Sequence, residues 1–274
     1  MLCNHSPPSI PSCGRDVGSR DMLRASSPRR LAFLAGVAGL VTVILVVSVV
    51  AAGLEPPPAA AVPVVVVPGY GGDASSVQPL TSFLRSQGRV VEPVTLPLNG
   101  TGDIDRSARA LADVVAGLNA STVDLVGFSA GGIVVRHYVK ALNRLGWARR
   151  VVLLGTPNHG TEIAELATSL DPSVCEGACA QLGPRSSFLQ NLNAGDETPA
   201  GASFYSIWTA FDLTVTPPQS AELEGAVNIR VQDVCRNART GHGELVSDPL
   251  VLGLVNQALL GELRSPREAG GCSG

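Results

Sequence analysis

The sequence predicts an α/β protein whose parallel sheet is covered by helices on both faces. Three observations carry that expectation. Short runs such as Val64-Val65-Val66-Val67, Val123 to Gly127 and Arg150 to Gly155 are nearly continuous in valine and leucine and end at glycine or proline, as in strands buried on both faces. Segments with apolar residues at helical spacing lie between them, the alternation expected of a parallel sheet. Finally, 45% of the 274 residues are hydrophobic but only 4% aromatic, so the interior must be built from valine, alanine and leucine. The length accommodates one large domain with appendages.

Taken in order, residues 1–30 are rich in Ser, Pro and Arg without apolar periodicity, which predicts a disordered tail. Leu31 to Leu54 holds no charged residue, and 24 residues of helix reach about 36 Å, enough to cross a bilayer. Arg24, Arg29 and Arg30 precede it, so the positive-inside rule puts the tail in the cytoplasm and the remainder outside. A cleaved signal sequence is the competing reading, with small residues at Ala51-Ala52-Gly53 and Ala59-Ala60-Ala61. The apolar stretch exceeds the roughly 7–15 residues of a typical signal core, which favours an uncleaved anchor at the cell membrane over secretion. Residues 55–62, with three consecutive prolines, form a stiff spacer, and the folded domain is expected over 63–274.

Within that domain the first strand, 64–67, runs into the glycine-rich turn Pro68-Gly69-Tyr70-Gly71-Gly72-Asp73. A helix is expected from Ser75 to about Gly88, a second strand from Arg89, and a loop over Leu96 to Gly102. Ile104, Ala108, Leu111, Val115 and Leu118 then mark a helix with acidic residues in its first turn. Strand 123–127 follows, and a helix carrying Ile133, Val134, His137 and Tyr138 starts directly after Ser129. Beyond strand 150–155, residues 161–202 mix helix and loop and offer themselves as a lid. Strands at Phe204 to Trp208 and Val227 to Val231, and a helix from Leu245 to Leu260, complete the chain.

The net charge of -3 conceals +3 on residues 1–30 and -6 on the rest. A mildly acidic body excludes nucleic acid as the expected partner, because phosphate binding needs a basic face. Of six cysteines, Cys3 and Cys13 fall on the cytoplasmic side, leaving an even set outside. Local spacing pairs Cys175 with Cys179, and Cys235 then pairs with Cys272, a loop worth roughly 4 kcal/mol in the chain-entropy description. With no Cys-x-x-Cys pair and few histidines, a metal site is not expected.

The stretch Gly127-Phe128-Ser129-Ala130-Gly131 lies where a strand turns sharply into a helix, which sets the Ser129 hydroxyl on an exposed turn at a helix N-terminus. A serine hydroxyl needs a base within hydrogen-bond reach to act as a nucleophile. Four histidines are available. His5 lies across the membrane, and His137 is more than two turns along the serine's own helix. His242, in Thr240-Gly241-His242-Gly243 between the last strand and the last helix, is preferred over His159, which reads as a loop histidine shaping the cleft. Asp212, at the end of an apolar strand, is the expected acid, ahead of Asp171, Asp196, Glu222 and Glu224. Backbone N–H groups of Tyr70 and Ala130 are the expected donors to an oxyanion.

Together, Val64 to Gly72, Gly127-Phe128-Ser129-Ala130-Gly131-Gly132, Leu154-Gly155-Thr156-Pro157-Asn158-His159-Gly160-Thr161, Asp212 and Gly241-His242 resemble the small secreted bacterial lipases of the α/β-hydrolase superfamily, the class 2 type. The resemblance spans about Pro63 to Leu260. It implies an α/β-hydrolase fold and hydrolysis of lipid or other carboxylesters without a cofactor. Ser129 would be the nucleophile, His242 the base and Asp212 its orienting acid, with the N–H groups at positions 70 and 130 as oxyanion donors. Many relatives have His-Gly where this chain has Pro68-Gly69. The same machinery also suits acyl transfer to a hydroxyl acceptor, and a non-catalytic surface module is the third reading.

Overall fold

The computed structural model describes residues 28–52, 62–140, 142 and 145–272. The chain divides into two units, 1–59 and 60–274. In the first, α1 spans Pro28–Ala52. Among the described residues no helix is long and apolar enough to cross a membrane. Several side chains of α1 lie outside the described set, so the anchor expected over 31–54 is not supported by the structure and rests on sequence alone. The tail through residue 27 and most of the 55–62 spacer also lie outside the described residues.

The second unit is built on six strands: β1 (Val64–Val67), β2 (Val91–Pro93), β3 (Val123–Phe128), β4 (Ala148–Leu154), β5 (Ser203–Trp208) and β6 (Val227–Arg230). They lie in the order β2-β1-β3-β4-β5-β6 and every pairing is parallel. All four side chains of β1 are buried, because a central strand of a doubly covered sheet meets apolar layers on both faces. On one face, α3 (Ile104–Gly117) and α4 (Ala130–Lys140) contribute Leu111, Ile133 and Tyr138. On the other, α2 (Gln78–Ser86) and α9 (Pro249–Leu260) contribute Leu80, Leu84, Val251 and Val255.

Register determines where the chemistry gathers. Val67 pairs with Gly127, Phe128 with Leu154, and Leu154 with Ile207, so the segments leaving β1, β3, β4 and β5 emerge along one edge. That carboxyl edge is where ligands of open parallel sheets bind. The region expected to mix helix and loop holds α5 (Glu162–Leu170) and α6 (Ala178–Gln181), which line the cleft at that edge, and α7 (Ser187–Asn193), which packs on α4. A further short helix, α8 (Val231–Val234), follows β6.

Several boundaries move. A 3-10 turn at Ala74–Val77, capped by the Asp73 carboxylate, precedes α2, so the α-helix itself begins at Gln78. The last helix starts at Pro249, not Leu245: Asp248 accepts the Leu250 N–H at 2.8 Å, and Pro249 suits the first helical position. Gly243–Val246 is instead a 3-10 turn.

Both sulfur pairs are bonded, Cys175 to Cys179 and Cys235 to Cys272. The second closes a span of 37 positions between the end of β6's short helix and the C-terminal tail. Reducing it is expected to lower unfolding stability by about 2–4 kcal/mol. Urea denaturation of a Cys235→Ala/Cys272→Ala variant against the oxidised parent checks this, and an unchanged midpoint would contradict it.

Candidate functional site

Ser129 stands between β3 and α4 with φ of 52°, in the left-handed region that side chains avoid. Two hydrogen bonds hold it there. Its N–H donates to the Leu154 carbonyl at 2.8 Å, and its carbonyl accepts from Gly132 at 3.0 Å. The bend leaves no room for side chains beside it. A Cβ on Gly127 would lie 2.4 Å from the Gly132 Cα, and one on Gly131 would lie 2.3 Å and 2.4 Å from the carbonyl oxygens of Pro68 and Val67. Glycine at 127 and 131 is therefore a steric requirement of a strand that reverses into a helix.

His242 reaches the serine from the segment between β6 and α9, with Nε2 2.9 Å from Ser129 Oγ and Nδ1 2.7 Å from Asp212 Oδ2. A parallel bridge between Phe211 and Gly241 brings the two segments side by side, and the Thr209 hydroxyl donates to the Thr240 carbonyl at 2.7 Å. Thr240 in turn bonds the carboxylate of Asp248, the cap of α9. The imidazole also packs on Phe128, ring centroids 5.1 Å apart. Asp212 is 3% exposed, and its other oxygen accepts the N–H groups of Thr214 at 2.9 Å and Val215 at 2.8 Å. Those bonds satisfy a buried carboxylate and leave Oδ2 aimed at the ring.

The expected oxyanion donors border the same cleft. Ala130 opens α4, so its N–H is among those a helix start leaves unpaired, and Tyr70 lies in the turn after β1. Both line a cavity of about 200 Å³ with Ser129. The cavity is almost wholly apolar. The Thr161 hydroxyl on its wall is already engaged, donating to the Thr214 carbonyl at 2.8 Å and accepting the Thr216 N–H at 3.1 Å. A larger cavity of about 540 Å³ opens beside Arg150, Ser203 and Arg264 near the amino ends of β4 and β5, but it joins no nucleophile to a base. Chemistry, not size, identifies the site.

The other candidates are occupied elsewhere. His137 Nε2 pairs with Asp105 at 3.0 Å, and His159 Nε2 with Glu197 at 3.0 Å. Asp171 accepts from Ser173 N–H and Asp196 from Thr198 N–H, both as turn formers. The main-chain donors to Asp212 were legible only as an Asx turn in Asp212-Leu213-Thr214-Val215. Arg136 had no signal at all. It belongs to α4 and is fully buried, donating to the Asn158 carbonyl at 3.2 Å and to Asn193 Oδ1 at 2.9 Å. Burial pushes its guanidinium down to about 10. The network ties α4 to α7 and to the segment carrying Pro157, another wall of the cleft.

Similar folds are known. The mature lipase BlEst2 of Bacillus licheniformis aligns with a TM-score of 0.61 at 19% identity, over 75% of this chain and 94% of its own. MGS-MChE2, an α/β hydrolase from the metagenome of sediments of the Mar Chica lagoon in Morocco, gives 0.53 at 19%, over 74% and 91%. A membrane phospholipase A described as a bacterial virulence factor gives 0.52 at 18%, over 85% and 96%. At such identities these likenesses establish the α/β-hydrolase fold. Among curated proteins no sequence matches this one. The family description Lipase (class 2) matches residues 103–253, more than half of the chain and the stretch that carries Ser129, Asp212 and His242. By that match the chain belongs to the class 2 lipases and is a carboxylic ester hydrolase.

Proposed function

We propose that the protein hydrolyses lipid esters outside the cytoplasm through a Ser129-His242-Asp212 triad and an acyl-enzyme. One observation carries the reading: a single imidazole bridges the Ser129 hydroxyl at 2.9 Å and the Asp212 carboxylate at 2.7 Å. With the Nδ1 proton held by Asp212, Nε2 is left to accept the hydroxyl proton. Ser129 Oγ then bonds to the ester carbonyl carbon while its proton passes to His242. The carbonyl oxygen becomes an oxyanion facing the N–H groups of Tyr70 and Ala130. As the C–O bond to the alcohol breaks, the leaving oxygen takes the proton from Nε2. Water repeats the sequence on the acyl-enzyme, releasing the acid and restoring the serine.

Two disulfides support action in an oxidising compartment. Attachment to the membrane through residues 31–54 is proposed from their sequence alone.

The direct test is a fluorophosphonate probe, which phosphonylates only an activated serine. A single adduct, mapped by mass spectrometry to Ser129 and formed in step with loss of ester hydrolysis, is the expected result. A folded protein that stays unlabelled would refute the reading.

A further inference from the structure

We infer that Thr161 is a positioning residue for the proposed acid: its hydroxyl braces the turn after Asp212, and through that turn it keeps the carboxylate in line with His242. The inference rests on the triad reading above and adds a residue on which the triad depends.

Thr161 occupies the N-cap position of α5, where a threonine hydroxyl ordinarily accepts an N–H of its own helix. Here the side chain makes no such bond. Only 7% exposed, it reaches instead to the segment after β5, donating to the Thr214 carbonyl at 2.8 Å and accepting the Thr216 N–H at 3.1 Å. The next residue adds a second brace, since the Glu162 N–H donates to the Thr216 carbonyl at 2.8 Å. Thr161 is itself fixed from behind, its own N–H donating to the Leu182 carbonyl at 2.9 Å. The start of α5 is therefore tied to the turn rather than capped by its own threonine.

That turn orders the carboxylate. Asp212 Oδ1 accepts the N–H groups of Thr214 at 2.9 Å and Val215 at 2.8 Å, which leaves Oδ2 for His242 Nδ1 at 2.7 Å. The Thr214 carbonyl and the Val215 N–H belong to one planar peptide group and point in opposite directions. Thr161 holds one end of that plane and Asp212 the other. With the hydroxyl gone the plane is free to rotate, and the carboxylate loses the direction of a donor it needs as a buried charge. The turn has little packing of its own to resist this: Leu213 is 83% exposed and Thr214 is exposed beside it, with Val215 as the buried side chain.

Because Thr161, Thr214 and Val215 also line the cleft, a fall in kcat alone would not separate positioning of the acid from contact with substrate. The experiment is therefore a double-mutant cycle on the full chain, with kcat for a soluble ester taken per fluorophosphonate-reactive Ser129. Thr161→Val keeps the shape of the residue and removes the hydroxyl. It is expected to lower kcat about 10- to 100-fold, the scale of a group displaced by about 1 Å, with KM within about threefold. Thr161→Ser, which keeps the hydroxyl, should stay within about threefold of the parent. In an Asp212→Asn background, Thr161→Val should cost no more than about twofold further, because the orientation it protects has already been lost. Glu162→Pro removes the second brace at a first helical position that suits proline and at a residue outside the cleft lining; it should lower kcat severalfold, again only with Asp212 present, and it carries the test if Thr161→Val does not fold. An unchanged kcat in Thr161→Val would mean that the turn holds itself, and an equal loss in both backgrounds that the threonine serves the substrate or the fold; either result overturns the inference and leaves the triad standing. A parent whose Ser129 stays unlabelled, or an Asp212→Asn enzyme within about tenfold of the parent, would overturn the triad and the inference together.

Discussion

Replacing Ser129 or His242 by alanine is expected to lower kcat for a soluble ester by about 10⁶, and the double variant to fall no further. In the proposed mechanism the two groups act on one proton, so removing either abolishes nucleophilic attack and the second loss has nothing left to remove. A factor of 10⁶ corresponds to about 8 kcal/mol of transition-state stabilisation. Asp212→Asn should cost about 10⁴, because the histidine would then present the wrong tautomer to the serine. Its fold should survive, since the retained side-chain oxygen can still accept from Thr214 and Val215. Steady-state kinetics with active-site titration measures all four proteins. A His242→Ala enzyme within tenfold of the parent would mean that another base serves Ser129. His159 is the nearest rival in sequence logic, but its ring is committed to buried Glu197.

The sheet and the meeting of Ser129, His242 and Asp212 were both legible in the sequence, for different reasons. β1, β3 and β4 declare themselves because a strand covered on both faces has no polar register, so its sequence is a plain apolar run. Ser129 declares itself through the glycines that the reversal needs. Asp212 and His242 followed from position, at a strand end and after the last strand, with few histidines to choose among.

What was not legible is whatever depends on contact between distant segments. Asp124 reads as a polar interruption of β3, yet it is wholly buried and its carboxylate accepts from Arg149 at 3.0 Å and 2.6 Å. Arg136 reads as an exposed helix residue, yet it is buried against Asn158 and Asn193. Local pattern assigns charges to the surface, and only the tertiary partner reverses that. The cleft wall escaped for a related reason. α6 and α7 are 4 and 7 residues long, too short for helical spacing to stand out, and their stability comes from packing and the disulfide. The last helix shows the opposite error, where apolar spacing continues through Leu245 and Val246 although the cap at Asp248 starts the helix later.

Gly131→Ala is expected to destabilise the domain by more than about 4 kcal/mol, and to disable catalysis in whatever fraction folds. The added methyl would sit 2.3 Å from the Pro68 carbonyl oxygen and 2.4 Å from that of Val67, and both are backbone atoms with no rotamer to yield. Relief requires α4 to move away from β1. That motion also parts Ser129 from the turn carrying Tyr70, whose neighbour Gly69 lies so close that a Cβ there would come within 3.0 Å of the Ser129 Cβ. The proposed nucleophile and the proposed oxyanion donor thus share one steric constraint, and a single methyl group disturbs both. Gly253→Ala in α9 is the control, since a Cβ there meets nothing within 4 Å. It should be neutral or stabilise by up to about 1 kcal/mol, because alanine is the better helix former. Urea midpoints and kcat of the two variants separate the cases. Equal stability in Gly131→Ala and the parent would mean that α4 and β1 can part without loss, and the close seat of Ser129 under the first strand would have to be abandoned.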